Sequence, residues 1–123
     1  MAAQAATARR ILVVDDEEPV RRVVCESLPG HEIDEATDAE DALDRMLDVP
    51  AELVITDIHL PLMDGCALAA RIRERWPHVP LLAISGYVDD RDVADFHFDG
   101  FLEKPLDLGR LREMVDRALT GPS

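Results

Sequence analysis

The amino-acid sequence predicts an α/β fold in which a parallel sheet is covered by helices on both faces. Short apolar runs alternate with helical periods along the chain, and the links between them are short. A chain of 123 residues can bury one core but is too short for a second folded domain beside it. We therefore expect a single domain in which each strand is followed by a helix that packs on the sheet.

Five short apolar runs predict the strands. They are ILVV at 11–14, the weaker EIDEA at 32–36, ELVITD at 52–57, PLLAIS at 80–85 and FLEK at 101–104. Most of these runs are continuously apolar instead of alternating, which is typical of strands that are buried on both faces.

Four helical periods follow these runs. Each begins at a residue suited to a helix N-terminus: Pro19, Asp38, Asp64 with Gly65, and Asp107. Apolar positions recur at three- and four-residue spacing in Val20, Val23, Val24 and Leu28; in Ala39, Ala42, Leu43, Met46 and Leu47; in Leu68 and Ile72; and in Leu108, Leu111, Val115 and Leu119. The acidic segment from Tyr87 to Gly100 lacks a clear period and supports at most one short additional helix.

Charge and composition exclude several functions. The formal net charge of −13 argues against a nucleic-acid or anionic-membrane surface, because such surfaces are built from Lys and Arg clusters. No run is long enough to span a membrane, and the start of the chain lacks the apolar core of a signal peptide. Cys25 and Cys66 have no metal-ligand spacing, so we expect them to be small buried residues in a reducing compartment. A cytoplasmic protein is the simplest expectation.

Polar residues capable of chemistry stand at the ends of four predicted strands. Asp15 and Asp16 end the first strand, Asp57 the third, Ser85 the fourth and Lys104 the fifth. In an open α/β sheet, ligands bind outside the carboxyl ends of the strands. Any one of these residues could be an ordinary polar strand end, but all five at one edge indicate a site.

The acids of this edge suggest a magnesium site. Adjacent carboxylates oppose one another's ionisation, and a hard divalent cation relieves the repulsion. Mg²⁺ prefers oxygen ligands and is usually held by one or two carboxylates together with phosphate oxygens. A carboxylate can also attack a phosphoryl group to give an aspartyl phosphate, and Asp57, which faces the acidic pair from the middle of the sheet, is the best candidate. Lys104 and the Ser85 hydroxyl could then contact the phosphoryl oxygens.

These residues and their order resemble the receiver domain of bacterial two-component response regulators, a family that includes the single-domain chemotaxis regulator. The resemblance extends from about Arg10 to Leu119 and depends on four motifs: VVDDE, ITDIHLPLMDG, ISGY and FLEKP. It implies a flavodoxin-like, doubly wound sheet of five parallel strands in the order 2-1-3-4-5. We accordingly expect a receiver domain at residues 10–120, a flexible segment at 1–9 and a tail at 121–123.

The resemblance also implies roles for individual residues. Asp57 would be the phosphoacceptor. Asp15 and Asp16 would form the acidic pocket with Asp57, and Asp16 would bind Mg²⁺ directly while Asp15 acts largely through water. The backbone carbonyl of His59 would be a further metal ligand.

Three further positions match residues that respond to phosphorylation in the family. Ser85 takes the place of the switch Ser/Thr, Lys104 that of the phosphate-pairing lysine, and Phe101 that of the rotating aromatic residue. The Lys104–Pro105 peptide bond would be cis.

The function implied is Mg²⁺-dependent transfer of a phosphoryl group to Asp57 from a sensor histidine kinase or a histidine phosphotransfer protein. The domain would catalyse its own phosphorylation and dephosphorylation, yet act as a signalling switch and not as a metabolic enzyme. Phosphorylation would change the surface that a downstream protein partner binds, formed by the helix after the fourth strand, the fifth strand and the last helix. Lys104 lies 19 positions after Ser85, which is shorter than the usual receiver by nearly one helical turn. The resemblance therefore implies that the helix between them is short and partly disordered or mobile.

Three other functions compete with a stand-alone receiver. The chain could be the receiver portion of a longer hybrid kinase, where it relays a phosphoryl group within one protein. It could be a phosphorylation-independent scaffold, although no residue of the predicted site is missing. A haloacid-dehalogenase-like phosphatase is a poor match, because its nucleophile belongs to a DxD arrangement that Asp15, Asp16 and Glu17 do not form.

Overall fold

The structure is a computed structural model, and it describes residues 9–86 and 98–120. Within these ranges the chain forms five strands and four helices. The strands are β1 (Arg10–Val14), β2 (Glu32–Ala36), β3 (Leu53–Asp57), β4 (Leu81–Ser85) and β5 (Gly100–Glu103). The helices are α1 (Glu18–Ser27), α2 (Ala39–Asp48), α3 (Gly65–Arg75) and α4 (Leu108–Thr120).

The five strands form one parallel sheet in the order β2-β1-β3-β4-β5. This order confirms the predicted doubly wound α/β fold, and each strand agrees with its predicted run to within one residue. In the registers, Val14 pairs with Thr56, Asp57 with Ile84, and Ser85 with Glu103. The carboxyl ends of β1, β3, β4 and β5 therefore lie at one edge of the sheet.

Two apolar clusters cover the two faces of the sheet, which explains why the central strands are apolar throughout. Helices α2 and α3 pack over one face against Leu12, Val14, Val54 and Leu81. Helices α1 and α4 pack over the other face against Ile11, Val13, Leu53, Ile55, Leu82 and Ile84. Since successive residues of a strand point to opposite faces, both sets must be apolar for both helical layers to bind.

The predicted helix starts are confirmed by their capping contacts. The carboxylates of Asp38, Asp64 and Asp107 accept hydrogen bonds from the backbone N–H groups of Asp41, Ala67 and Arg110, respectively. Such a bond satisfies one of the N–H groups that the first helical turn leaves without a partner. In α1 the helix begins one residue earlier than predicted, so that Pro19 is its second residue.

Several predictions about buried side chains are wrong, and one of them is Leu108, which was expected on the inner face of α4 but is 36% exposed. Leu47 was expected on the inner face of α2 but is 54% exposed, because it follows the buried Met46 by about 100° around the helix. Val23 is 39% exposed because it lies about 100° around α1 from the buried Val24. Cys25 and Cys66 are half-buried instead of buried.

Two other predictions concern the chain after β4. The Lys104–Pro105 peptide bond is cis, as the resemblance implied. The shortened, mobile helix expected between Tyr87 and Gly100 falls largely on residues 87–97, which lie outside the described residues. None of the helices in the described part of the chain is long and apolar enough to cross a membrane.

Candidate functional site

The residues that the sequence predicted for the site lie at the carboxyl edge of the sheet. Asp15 and Asp16 follow β1, Asp57 and Ser85 are the last residues of β3 and β4, and Lys104 follows β5. Asp15, Asp57 and Ser85 are buried, whereas Asp16 is exposed. The predicted residues therefore meet at the edge formed by the carboxyl ends of four strands, because parallel strands all end on the same side of the sheet.

Asp57 is held at both carboxylate oxygens. Its Oδ1 accepts a hydrogen bond of 2.9 Å from the backbone N–H of His59, and its Oδ2 accepts one of 2.9 Å from Nζ of Lys104. The residue is only 4% exposed. The backbone bond fixes the orientation of the carboxylate, while the other oxygen contacts a side chain that can move.

Asp15 lies deeper than its neighbour Asp16. Its Oδ1 accepts a hydrogen bond of 2.8 Å from the N–H of Glu17, and its Oδ2 is 3.1 Å from Nζ of Lys104. That second contact is an ion pair without hydrogen-bond geometry. Among the described residues, this Oδ2 is the one buried side-chain oxygen or nitrogen that makes no hydrogen bond.

Lys104 joins the acids of the site. Its ammonium group lies 2.9 Å from Oδ2 of Asp57, 3.1 Å from Oδ2 of Asp15 and 3.0 Å from Oε1 of Glu17. Glu17 was not predicted to belong to the site. It is the N-cap residue of α1, but its side chain makes no capping bond and reaches Lys104 instead. Because the two residues are 87 positions apart, only the adjacency of Glu17 to the acidic pair could have pointed to it.

The acidic cluster fits a divalent cation. Asp15, Asp16 and Asp57 each offer a carboxylate oxygen, and these oxygens all lie within 4.8 Å of one another. The Oδ2 of Asp15 is buried and accepts no hydrogen bond, although buried carboxylate oxygens normally have a partner. A bound cation would supply that partner. An all-oxygen set of carboxylates at a half-open edge suits Mg²⁺ better than a metal that prefers nitrogen or sulfur.

The charges of the site shift two pKa values. Burial alone would lower the pKa of Lys104, but hydrogen bonds to Asp57 and Glu17 and the contact with Asp15 outweigh it and raise that pKa. Burial raises the pKa of Asp15, and repulsion by Asp57 adds to the effect. The N–H of Glu17 and the ammonium of Lys104 oppose this rise in the pKa of Asp15 without cancelling it.

The variant Asp15→Asn is expected to be more stable than the wild type at pH 7 without divalent cations. Since the folded state raises the pKa of Asp15, the ionised carboxylate destabilises the fold, and protonation removes this effect as the pH falls toward the raised pKa. Asparagine removes the charge but retains an oxygen that can accept the N–H of Glu17. Urea unfolding in EDTA should therefore show a gain at pH 7 that shrinks as the pH is lowered toward the raised pKa of Asp15. A variant less stable than the wild type at pH 7 would contradict the expected sign.

Ser85 and Phe101 lie where the sequence placed them. Ser85 is fully buried at the end of β4, and its carbonyl accepts a hydrogen bond of 2.8 Å from the N–H of Lys104. Phe101 is half-buried in β5, and its ring contacts that of Phe98 edge to face with 5.5 Å between the centroids. Phe98 is partly buried and packs against the α2–α3 cluster.

The loop after β3 is tied closely to the end of that strand. The hydroxyl of Thr56 donates a hydrogen bond of 2.9 Å to the carbonyl of Asp57, and the N–H of Gly65 donates one of 2.7 Å to the carbonyl of Ile58. Between them, Leu62 has a φ of 70° and is fully exposed. Helix α3 thus begins in direct contact with the backbone that carries Asp57.

Comparison with known proteins identifies the family. A family model described as the response regulator receiver domain matches residues 11–116, which is most of the chain. The chain belongs to the response regulator receiver family. Its sheet order and the acidic edge described above agree with this membership. The solved receiver domain of NtrX from Brucella abortus is 36% identical to the chain, with a TM-score of 0.84. The likeness covers 91% of this chain and 99% of that one.

The curated relatives of this receiver are much longer proteins. The response regulator protein FleR of Pseudomonas aeruginosa is 34% identical over 93% of the chain, and the sensor kinase CckA of Brucella abortus is 32% identical over 89% of it. The receiver spans 25% of the length of FleR and 12% of that of CckA. Receivers similar to this one therefore occur both in response regulators and in sensor kinases.

Proposed function

We propose that this receiver accepts a phosphoryl group on Asp57 from a phosphohistidine of a sensor histidine kinase or a histidine phosphotransfer protein, in a reaction that requires Mg²⁺. Phosphorylation would switch the surface that a downstream protein binds. Residues 10–120 would form the receiver domain, a boundary supported by the family match to 11–116 and by elements that run from Arg10 to Thr120.

The main support for the proposal is the set of residues that surround Asp57. Its carboxylate is buried at the end of a central strand, within ligand distance of Asp15 and Asp16 and 2.9 Å from the ammonium of Lys104. A buried acceptor carboxylate with a neighbouring cation pocket and a mobile ammonium is what phosphoryl transfer to an aspartate needs. A carboxylate that served only to stabilise the fold would not need the adjacent acids.

The geometry of Asp57 supports Oδ2 as the attacking oxygen. Oδ1 is held by the backbone N–H of His59, which cannot move away, whereas Oδ2 is bonded to the flexible side chain of Lys104. Oδ2 would attack phosphorus, a new O–P bond would form, and the P–N bond to the donor imidazole would break. The electron pair of that bond would leave with the imidazole, which takes a proton from solvent. Lys104 would turn from Oδ2 to a phosphoryl oxygen.

The remaining residues would bind the transferred group. Mg²⁺ held by Asp15, Asp16, Asp57 and the carbonyl of His59 would supply positive charge to the phosphoryl oxygens. The Ser85 hydroxyl would move toward the phosphoryl group, and Phe101 would turn inward as the phosphorylated state becomes favoured. The half-buried position of Phe101 supports such a rotation, because a ring that is not enclosed on all sides turns more easily than one in a close-packed core.

A receiver that forms part of a hybrid kinase is a second candidate. The similarity to the sensor kinase CckA favours it, since the matching part is a receiver-sized portion of a longer chain. The phosphoryl chemistry at Asp57 would be the same, but the donor would belong to the same protein. The rate of phosphoryl transfer to Asp57 can be compared for an added histidine phosphotransfer protein and for a kinase domain linked to the receiver. Faster transfer from the linked domain would favour the hybrid kinase.

The proposal is tested by measuring intact mass after incubation with acetyl phosphate, with and without Mg²⁺. We expect an adduct of one phosphoryl group that requires Mg²⁺, is labile in base and maps to Asp57 after proteolysis. The matched variant is Asp57→Asn, which retains the size of the side chain and an oxygen for the His59 N–H. It should give no adduct.

A persistent adduct in Asp57→Asn would contradict the assignment of the acceptor. If the folded wild type gives no adduct with acetyl phosphate, a purified phosphohistidine protein is the second donor. Failure with both donors, in protein that binds Mg²⁺, would refute phosphoryl transfer and favour the scaffold function.

A further inference from the structure

Arg21 of helix α1 bonds directly to the backbone of the acidic site. Its Nη1 donates a hydrogen bond of 2.8 Å to the carbonyl oxygen of Asp15, and its Nε donates one of 2.9 Å to Oε1 of Glu35 on β2. The side chain of Arg21 is only 13% exposed. The guanidinium group thus links helix α1, the residue after β1, and strand β2.

With this contact, Asp15 is held at nearly every polar atom. Its backbone N–H donates to the carbonyl of Ala36, its carbonyl accepts from Arg21, and its Oδ1 accepts from the N–H of Glu17. The remaining polar atom is Oδ2, which is buried and makes no hydrogen bond. The contacts therefore hold Asp15 by its peptide and by Oδ1, and they leave Oδ2 paired with the ammonium of Lys104, 3.1 Å away, which a bound cation would displace.

We propose that Arg21, held in place by Glu35, is a positioning residue of the cation site, which keeps Asp15 oriented so that Oδ2 faces the bound Mg²⁺. This inference depends on the Mg²⁺ site of the proposed function. Arg21 does not itself contact the cation or the phosphoryl group. It acts by holding the Asp15 peptide, as outer residues that orient metal ligands commonly do.

The sign of the expected effect separates positioning from simple electrostatics. A guanidinium near a cation site repels the cation, so removal of Arg21 should strengthen Mg²⁺ binding if charge alone matters. If Arg21 positions Asp15, its removal should weaken binding instead. Loss of an orienting residue typically costs about 10- to 100-fold in metal affinity.

The test is calorimetric titration of the full chain with Mg²⁺, together with thermal unfolding in EDTA. Arg21→Ala should bind Mg²⁺ about 10-fold more weakly than the wild type. Arg21→Lys should recover part of the affinity, because one amine can donate to Asp15 or to Glu35 but not hold both in the same geometry. Glu35→Gln, which loses the charge that holds the guanidinium, should lie between Arg21→Ala and the wild type, but loss of a negative charge lowers cation affinity by itself, so the sign in Arg21→Ala decides.

Arg45→Ala is the matched control. Arg45 also joins a helix to β2, through Asp41 and Asp34, but it contacts none of the acids of the site. It should lower the melting temperature in EDTA without weakening Mg²⁺ binding. Unchanged or tighter binding in Arg21→Ala or Glu35→Gln, with a lower melting temperature, would overturn the proposal and leave Arg21 a structural residue. A wild type that binds no Mg²⁺ would overturn the cation site itself, an outcome visible before any variant is measured.

Discussion

The variant Lys104→Met is expected to accept a phosphoryl group about 100-fold more slowly than the wild type and yet to bind Mg²⁺ more tightly. The ammonium of Lys104 contacts Asp15, Asp57 and Glu17, so in the absence of phosphate it competes with a cation for the same carboxylates. During transfer it would stabilise negative charge on the phosphoryl oxygens, which methionine cannot do. One substitution therefore moves binding and transfer in opposite directions.

Both effects can be measured on the same preparations. Adduct formation from acetyl phosphate at saturating Mg²⁺ gives the transfer rate, and calorimetry gives the Mg²⁺ affinity. Lys104→Arg keeps the charge but changes its geometry and should fall between the wild type and Lys104→Met. Arg22→Met removes a cation that pairs with the exposed Glu18, and it should change neither quantity appreciably. A transfer rate in Lys104→Met within about threefold of the wild type would exclude the proposed role.

Gly65→Ala is expected to lower the free energy of unfolding by about 3 kcal/mol. A Cβ at this position would lie 2.2 Å from the carbonyl oxygen of Asp57 and 2.8 Å from Cα of Ile58, and both are backbone atoms that cannot turn aside. Relief requires helix α3 to move away from the end of β3. Because that strand carries Asp57, the transfer of a phosphoryl group should slow as well.

Urea unfolding measures the loss, and Gly109→Ala is the control. A Cβ at Gly109 would have its nearest neighbour, Oδ1 of Asp107, at an ordinary 3.4 Å. Since alanine favours a helix over glycine, this variant should gain about 0.5 kcal/mol. If Gly65→Ala were as stable as the wild type, α3 could not lie as close to the end of β3 as the structure shows.

Much of the fold could be predicted because both helical layers leave a simple pattern. Central strands such as β1 and β3 are apolar on both faces, and residues such as Asp38 and Asp64 mark helix starts through local bonds. The rule that ligands bind at the carboxyl ends of parallel strands also predicts that Asp57 and Lys104 lie at one edge of the sheet. These signals are local in sequence or follow from topology.

Hydrogen bonds and ion pairs made by individual side chains left no such signal. The bond from Lys104 to Glu17 and that from Arg21 to the carbonyl of Asp15 depend on rotamers that composition and spacing do not determine. From its place in an amphipathic helix, Arg21 would be interpreted as a solvated residue. Only the structure shows that its side chain is 13% exposed. The wrong expectation for Leu47 arose because two adjacent apolar residues, Met46 and Leu47, cannot both face the sheet, and their sequence does not show which one does.

Lys104 is the only lysine in the sequence. Its amine is therefore the one side-chain amine that an acylating reagent such as acetyl phosphate can convert to a stable amide. The carboxylates around it raise its pKa, so very little of it is the neutral, nucleophilic amine at pH 7. Acetylation during phosphorylation assays should accordingly be slow. A rise in the reactivity of this amine on adding Mg²⁺ would give a chemical label for release of Lys104 from the acids.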